Sequence, residues 1–268
     1  MITGFYGQTG IVTQLNKVYI PLMKQGRTFN FLFKAPSGMG KTTLAKLTVM
    51  ATGTGEKTAG YVLPNEDGQI PYDKFDKYQY ILIDEAHTLK GQEMLYPLLD
   101  RGDKTFLICS NEFGLLKEPL QNRCINFIYL DYTYEEMQYI LIDYANSLGY
   151  WMDDDFIDEV IKGSAYNPRV GKAMISSLHN YELAGNPAIT SLDELKGILK
   201  SIFGIEDGLN SLQRRYLEFL RTAESASLNL ISSVLKVDVI TVRRDIEPAL
   251  VQRGLIGIGA RGRYIKDN

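Results

Sequence analysis

The sequence has little cysteine, no long apolar run and no internal repeat. Its only two cysteines are Cys109, in an apolar strand-like run, and Cys124, beside a basic residue. We therefore expect both to be packing residues, without a disulfide framework. No apolar stretch approaches the roughly 18 residues that a membrane span needs, and residues 1–8 show no features of an export signal. These absences favour a cytoplasmic protein with no membrane association.

Composition and charge are otherwise ordinary for a globular chain. Hydrophobic residues make up 45% of the 268 residues and charged residues 23%, and this length allows two or three compact units. The net charge of −3 is unevenly spread: residues 205–268 carry 10 basic and 8 acidic side chains, and residues 1–204 carry 19 and 24. Because a solvated surface gives similar counts, this difference alone does not establish nucleic-acid binding.

The pattern of apolar residues predicts an α/β core followed by helices. Four β-rich runs alternate with segments of helical spacing, as in a parallel sheet flanked by helices, and amphipathic helices take over after Asp131. We predict three domains, at residues 1–131, 132–204 and 205–268. The predicted strands are 29–33, 80–83, 105–109 and 125–130; the predicted helices are 134–148, 153–162, 169–183, 192–203, 212–220, 228–235 and 242–253; a closing β pair is 255–258 with 263–265.

A glycine-bearing loop follows the first predicted strand and precedes a helical segment. Apart from an alanine in place of the first glycine, it has the pattern of a phosphate-binding loop, in which backbone N–H groups and a helix N-terminus cradle phosphates. Lys41 is predicted to bind the β- and γ-phosphates of ATP, and Thr42 to bind Mg²⁺. The alternative is a glycine-rich turn with a surface lysine. The loop consists of Ala35, Pro36, Ser37, Gly38, Met39, Gly40, Lys41, Thr42 and Thr43.

An acidic pair, Asp84 and Glu85, follows the predicted strand 80–83. An apolar strand that ends in adjacent carboxylates aims both at the space above the phosphate loop. Asp84 suits a Mg²⁺ partner that acts through water, and Glu85 suits the base that polarises the attacking water. An acidic pair without a role is the alternative. His87 is interpreted as a local hydrogen-bonding residue.

Several short motifs occur in a definite order along the chain. They are Phe-Tyr-Gly-Gln at 5–8, the phosphate loop, Leu-Ile-Asp-Glu-Ala-His at 82–87, Leu-Tyr-Pro at 95–97, Gly-Leu-Leu at 114–116, Pro-Leu-Gln-Asn-Arg at 119–123, Pro-Arg at 168–169 and Glu-Pro-Ala-Leu at 247–250. Each is weak alone, but together they cover nearly the whole chain and resemble the RuvB family, the hexameric AAA+ motors that drive branch migration of Holliday junctions. The Asp-Glu-Ala-His string also suggests a two-lobed helicase, but the chain is too short for two such lobes.

The resemblance implies a P-loop AAA+ core, an all-α lid and a C-terminal winged helix, and it assigns further roles. Asn111 matches the sensor 1 position, where an amide orients the attacking water; an asparagine in a turn is the alternative. Arg123 matches the arginine finger, a cation offered to the ATP of the neighbouring subunit; a surface salt bridge is the alternative. Arg169 resembles sensor 2, which links the lid to the γ-phosphate. Tyr6 and Tyr132 match positions near the adenine, with packing an almost equally good explanation.

The order of elements after residue 205 is that of a winged helix-turn-helix. Its longer helix is predicted to bury one face, so that two adjacent arginines point outward, and further basic residues lie at or beside the hairpin tip. Such contacts to the DNA backbone would be salt-dependent and largely independent of sequence. A winged helix used for protein contact is the alternative. The predicted buried face is Val242, Ile246, Leu250 and Val251, and the predicted DNA contacts are Arg243, Arg244, Arg261, Arg263 and Lys266.

Two features of the family are missing from the sequence. In RuvB proteins a β-hairpin projects between the Walker B helix and the sensor 1 strand and docks on the junction-recognition partner, but here residues 98–104 pass almost directly to the strand at Thr105. The stretch before Phe5, which helps to hold adenine in the family, is nearly absent. Dependence on the usual partner is therefore left open, and a shortened relative from a bacterium, a phage or a mobile element is one interpretation.

The leading hypothesis is an ATP-dependent DNA motor of recombination and repair. It would assemble as a homo-oligomeric ring or spiral, hexameric by family resemblance, and hydrolyse ATP at subunit interfaces to translocate duplex or branched DNA. An AAA+ loader or assembly ATPase, which binds DNA without translocating, is the first alternative. A non-catalytic DNA-binding scaffold with vestigial ATP binding is the second.

Overall fold

A five-stranded parallel sheet forms the centre of the N-terminal part of the chain. The computed structural model describes residues 1–54 and 58–266. Its sheet has the strand order β2-β3-β4-β1-β5, and every neighbouring pair is parallel. The carboxyl ends of the three inner strands therefore lie side by side, which is where open α/β sheets bind ligands. The strands are β1 (Asn30–Lys34), β2 (Ala59–Val62), β3 (Tyr80–Ile83), β4 (Thr105–Ser110) and β5 (Ile125–Ile128).

The inner strands are apolar because both faces of the sheet are covered. Every residue of β3 and β4 is buried. On one face the rings of Phe31, Phe33 and Phe127 pack with centroids 5.5 to 6.2 Å apart. On the other face Ile81 and Phe106 belong to a buried apolar cluster. This packing fixes the strands that carry the candidate site.

The chain forms two compact units, Met1–Glu136 and Met137–Asn268. The first contains the sheet and short 3₁₀ segments at Tyr72–Lys77, Ala86–Thr88, Gln92–Leu95 and Phe113–Leu115. Its first helix runs through Thr9–Gln14, the π-helical turn Leu15–Tyr19 and Ile20–Lys24. Its other helices are Lys41–Met50, Tyr96–Arg101 and Glu118–Gln121.

The second unit is mostly helical and ends in a small antiparallel sheet of order β6-β8-β7. Asn167, Ser191, Asn210, Ser227 and Asp238 cap helix N-termini with their side chains, as is typical of these residue types. The helices are Tyr134–Ser147, which begins in the first unit, Asp154–Gly163, Pro168–Leu183, Leu192–Phe203, Ser211–Ala223, Leu228–Leu235, Val239–Thr241, the π-helical Val242–Ile246 and Glu247–Gln252. The strands are β6 (Ser225–Ala226), β7 (Ile256–Gly259) and β8 (Gly262–Ile265).

The predicted architecture is confirmed: an α/β core with a parallel sheet is followed by helices and by a C-terminal unit of helices with a small antiparallel sheet. The four predicted strands and seven predicted helices are present within a few residues, whereas β2, β6 and the helices at 9–24, 96–101 and 118–121 were not predicted. The division into three domains stays a prediction, because the contacts within the chain divide it into only two compact units. Val251 is a correction: it is 42% exposed, and Ala249 is buried instead.

Both cysteines are free thiols, as predicted. Cys109 is fully buried, and burial raises the pKa of the Cys124 thiol to about 12. Among the described residues, no helix is long and apolar enough to cross a bilayer.

The connection between the helix Tyr96–Arg101 and β4 is short, as the sequence indicates. Only residues 102–104 lie between them, and within this described segment there is no strand. Gly102 ends the helix with a φ of 67°, and Thr28 Oγ1 donates a hydrogen bond to its carbonyl oxygen at 2.7 Å. The helix and β4 are thus joined by an ordered turn rather than by a projecting hairpin.

Candidate nucleotide-binding and active site

The predicted phosphate loop connects β1 to the helix Lys41–Met50. Gly38 and Gly40 have φ values of 85° and 84°, a left-handed conformation that glycine adopts without strain. A Cβ atom on Gly40 would also lie 3.2 Å from the ring of Phe5. Gly40 is the N-cap residue and has no side chain to cap the helix, so the first N–H groups of the helix are suited to phosphate oxygens.

Lys41 is buried, and polar groups of the loop hold its ammonium group. Its Nζ donates hydrogen bonds to the carbonyl oxygens of Ala35 at 2.8 Å and Pro36 at 2.9 Å, and to Oδ1 of Asn111. A buried cation requires such partners because its desolvation is costly. The loop therefore fixes Lys41 in a position from which it could bind phosphate oxygens.

Asp84, at the carboxyl end of β3, accepts three hydrogen bonds. Thr42 Oγ1 donates to its Oδ2 at 2.6 Å, the Tyr61 hydroxyl donates to the same oxygen at 3.0 Å, and the backbone N–H of Glu85 donates to Oδ1 at 3.0 Å. Burial, together with the charge of Asp84, raises the pKa of Tyr61 to about 12. The sequence analysis missed Tyr61 because it did not predict β2, whose sequence Ala-Gly-Tyr-Val carries a strand signal only in its last two residues.

The residues around Asp84 fit the binding of Mg²⁺. Mg²⁺ prefers oxygen ligands and is usually held by one or two protein groups together with water and substrate phosphates. Thr42 supplies a hydroxyl and Asp84 a carboxylate in direct contact with it. Within residues 1–54 and 58–266, no three His, Cys, Asp or Glu side chains are grouped as an all-protein metal site. The metal would therefore depend on this pair and on the phosphates.

Asn111 lies just beyond β4 and joins Lys41 to Glu85. Its Oδ1 accepts a hydrogen bond from Lys41, and its Nδ2 donates one to Oε2 of Glu85 at 2.8 Å. His87 Nε2 lies 3.5 Å from the same oxygen, and His87 Nδ1 is buried with no hydrogen-bond partner among the described residues. The structure thus brings the predicted Walker residues and sensor 1 residue into one polar network.

Arg123 is held against a different part of the same unit. Its Nε lies 3.0 and 3.1 Å from the two carboxylate oxygens of Asp100, its Nη1 donates to the Pro119 carbonyl oxygen at 2.9 Å, and its guanidinium carbon lies 4.7 Å from the centre of the Tyr96 ring. In the described part of the chain, it makes no hydrogen bond or ion pair with Lys41 or Glu85. This separation is compatible with a role in another subunit's site.

Three further residues, Tyr132, Tyr6 and Arg169, are predicted to contact the nucleotide. Tyr132 is buried, its hydroxyl donates to the Met39 carbonyl oxygen at 3.0 Å, and its ring packs against Gly7. These contacts agree with a packing role, and its contact with adenine stays a prediction. Tyr6 is half-buried, and its contact with adenine stays a prediction. Arg169 is exposed at the start of Pro168–Leu183, where Asn167 Oδ1 accepts a hydrogen bond from its backbone N–H at 3.0 Å. Its sensor 2 role also stays a prediction.

Four of the five predicted DNA contacts are exposed, and the fifth is a correction. Arg263 lies on the inner face of β8, where its Nε donates to Oε1 of Glu247 at 2.8 Å; the two side chains are 15% and 5% exposed. The Tyr216 hydroxyl donates to the same carboxylate oxygen at 2.9 Å. Arg263 is therefore engaged in a largely buried ion pair within this domain, which does not support its predicted contact with DNA. The exposed residues are Arg243, Arg244, which pairs with Asp245, Arg261 and Lys266.

The chain is similar to RuvB proteins along almost its whole length. It is 27% identical over 293 residues to the Holliday junction branch migration complex subunit RuvB of Prosthecochloris aestuarii, with 98% of this chain and 85% of the relative covered. For the subunit of the same name from Campylobacter jejuni the values are 26% over 288 residues, 97% and 86%.

Solved structures and a domain family point the same way. The Thermotoga maritima RuvB Holliday junction branch migration motor has a TM-score of 0.78 and 21% identity, with 98% of this chain and 93% of that chain covered, which is a likeness of fold. Residues 206–268 match the family of RuvB C-terminal winged helix domains. The predicted resemblance is thereby confirmed, and the chain is a RuvB homologue that ends in a RuvB C-terminal winged helix domain.

Proposed function

We propose that this chain is an ATP-hydrolysing DNA motor of the RuvB type, which acts in recombination and repair by driving branch migration of Holliday junctions. The proposal is carried by one observation: Lys41, Asn111 and Glu85 form a hydrogen-bonded series beside a phosphate loop whose Thr42 is bound to Asp84. These are the groups that ATP hydrolysis requires, in contact with one another. The relatives are named as subunits of the Holliday junction branch migration complex, and these names support the choice of branch migration as the reaction.

In the proposed reaction, each residue acts on ATP by its own chemistry. The loop N–H groups and Lys41 bind the phosphates, and Glu85 accepts a proton from the attacking water. Thr42 and, through water, Asp84 would hold Mg²⁺, whose charge would offset that of the phosphates. Asn111 contacts both Lys41 and Glu85, so it is placed to align the base when the γ-phosphate is present. Tyr6 and Arg169 are proposed to contact the adenine and the γ-phosphate, respectively.

The proposed active site is shared between subunits. Arg123 supplies its guanidinium to the ATP of a neighbouring copy, where it offsets charge that develops during phosphoryl transfer. This role requires a homo-oligomer, which we propose to be a hexameric ring or a spiral. The proposed parts are an ATPase core at 1–131, a lid at 132–204 and a DNA-binding domain at 205–268.

DNA is the proposed partner of the winged helix. Arg243, Arg244, Arg261 and Lys266 are exposed on this domain, where they are suited to phosphate contacts without sequence preference. Such contacts suit a protein that moves along DNA, since no base has to be released at each step. We do not propose this role for Arg263, because its guanidinium group pairs with Glu247.

A loader or assembly ATPase is the second candidate, and the short connection at residues 102–104 favours it. The family hairpin that docks on the junction-recognition partner would occupy this place. A chain without that hairpin has no such means of delivery to a junction, so it could instead use ATP to place another protein on DNA.

A three-step experiment tests the proposal. Calorimetry should first detect Mg²⁺-dependent ATP binding, and DNA should then stimulate ATP hydrolysis. Finally, a labelled four-way junction incubated with the chain and ATP should be separated into two duplexes, whereas the Glu85→Gln variant should leave it intact. ATP turnover without strand separation would favour the loader. Absence of ATP binding by folded protein would reject the proposed function altogether.

A further inference from the structure

The guanidinium group of Arg123 is held at two of its three nitrogens. Asp100 binds Nε through both carboxylate oxygens, and the Pro119 carbonyl accepts from Nη1. Tyr96 lies beneath the plane, 4.7 Å from its ring centre to the guanidinium carbon, which is a cation–π distance. The third nitrogen, Nη2, makes no hydrogen bond to any residue in 1–54 or 58–266.

The backbone around Arg123 is fixed to the helix that carries Asp100. Asn30, the first residue of β1, donates through Nδ2 to the carbonyl oxygen of Leu99 at 3.1 Å and to that of Arg123 at 3.2 Å. One side-chain amide therefore joins the helix Tyr96–Arg101 to the segment that follows Glu118–Gln121. The two ends of the Arg123–Asp100 pair are thus set by the same anchor.

An arginine held in this way loses little freedom when it meets a phosphate. A free arginine side chain has considerable rotamer entropy, which it must give up to reach a phosphate in a defined geometry. Here that ordering has already taken place within the subunit, and Nη2 is still available for a new hydrogen bond. Asp100 is the charged partner in this arrangement, on a side chain that is 56% exposed.

We propose that Asp100 is a positioning residue for hydrolysis in the neighbouring subunit, because it orients Arg123 toward that subunit's ATP. The proposal rests on the proposed function, in particular on Arg123 acting across an interface. In this proposal Asp100 acts through Arg123, without touching a nucleotide itself. Asp100 therefore affects the rate of ATP hydrolysis in the neighbouring subunit, and not ATP binding to the phosphate loop of its own subunit.

A mixing experiment isolates this effect. Subunits with Arg123→Ala keep their own Glu85 but offer no finger, and subunits with Glu85→Gln offer a finger but do not hydrolyse. In a mixture, turnover comes from Arg123→Ala sites that are served by a Glu85→Gln neighbour. Adding Asp100→Ala to the Glu85→Gln subunit then changes only the way in which the finger is presented.

The expected result is a loss of about fivefold in kcat for the mixture that contains Asp100→Ala, with the KM for ATP changed by less than about twofold. Asp100→Glu, which keeps the carboxylate, should retain most of the rate. Asp103→Ala is the matched control, since it removes an exposed acid of the same segment that pairs with Arg101 at 2.8 Å instead. It should leave turnover of the mixture unchanged.

Two outcomes would overturn the inference while the proposed function stands. In the first, mixtures with Asp100→Ala hydrolyse ATP as fast as the Asp103→Ala control. In the second they hydrolyse it faster, which would mean that Asp100 competes with the neighbouring ATP for the Arg123 guanidinium group. If the simple mixture of Arg123→Ala and Glu85→Gln recovers no turnover while the wild type is active, the finger assignment fails and the inference fails with it.

Discussion

The ATP site and the winged helix place their functional side chains in opposite ways. Around the phosphate loop, Lys41, Asp84 and Asn111 are buried or half-buried and hydrogen-bond to other predicted site residues. In the winged helix the candidate DNA contacts Arg243 and Arg261 are exposed. Buried polar groups need hydrogen-bond partners, so a motif that places one of them also indicates that polar partners lie nearby. Exposed cations have no such requirement, and their roles are correspondingly harder to derive.

The largest effect that separates the two regions is expected at Glu85. Glu85→Gln should lower ATP turnover by about 10³-fold, because an amide cannot accept the proton of the attacking water. Binding of ATP should persist, since the phosphate loop and Lys41 are unchanged. Steady-state hydrolysis together with calorimetry checks both parts. Glu93→Gln, at an exposed residue paired with Lys117, is the control and should keep full turnover.

The next effect is on stability, and it contrasts two arginines of one hairpin. Arg263→Ala should lower the free energy of unfolding by about 3 kcal/mol, since it leaves the carboxylate of Glu247 buried without its cation. Arg261→Ala, at the exposed turn, should change it by less than about 0.5 kcal/mol. Urea unfolding followed by circular dichroism makes the comparison. Equal losses of unfolding free energy in the two variants would mean that Arg263 contributes no more to stability than the exposed Arg261.

A smaller effect is expected in DNA binding. Arg261→Ala should weaken binding about equally on unrelated DNA sequences and reduce the slope of log K against log salt by about 1, the signature of one lost phosphate contact. Arg261→Lys keeps the charge and should keep the slope. Fluorescence anisotropy over a salt series measures both. An unchanged slope for the alanine variant would favour a winged helix used for protein contact.

The smallest effect tests the residue that the sequence analysis missed. Tyr61→Phe removes one of three hydrogen bonds to Asp84 and should raise the Mg²⁺ concentration for half-maximal turnover by about threefold, since the carboxylate is then less firmly oriented. Hydrolysis measured against Mg²⁺ at saturating ATP gives the value. Tyr78→Phe, in a ring that packs against Gly60, is the control. A threefold shift in both variants would point to a general effect of losing a hydroxyl.

The sequence predicted elements with strong periodicity and missed those without it. The helices 192–203 and 228–235 match the structure in full because their apolar residues recur at helical spacing, and the strand 80–83 matches because it is a short continuous apolar run. β2 contains alanine and glycine, which have low strand propensity, and its pairing with β3 creates the strand. The helix at 9–24 contains a π-helical turn, which breaks the helical spacing. Two-residue β6 forms only through pairing with β8.

The candidate site shows the same limit at the level of single residues. The phosphate loop and the acidic pair could be predicted because local sequence fixes their geometry. Tyr61 reaches Asp84 only through the β2–β3 register, and Asp100 reaches Arg123 only through tertiary packing. Arg263 could have been assigned inward, since strand side chains alternate and it lies two residues before Ile265, which packs on the core of this domain.

The turn at residues 102–104 has a consequence for communication between ATP molecules. β4 has six residues; one end continues into Asn111, and the other is joined by this turn to the helix of Asp100. A single strand therefore links Asn111, the proposed sensor of a subunit's own ATP, to the helix of Asp100, which supports the proposed finger Arg123. Because only residues 102–104 intervene, we expect a displacement at one end of β4 to be passed to the other. In the proposed ring, hydrolysis events would then be expected to follow one another in sequence instead of at random.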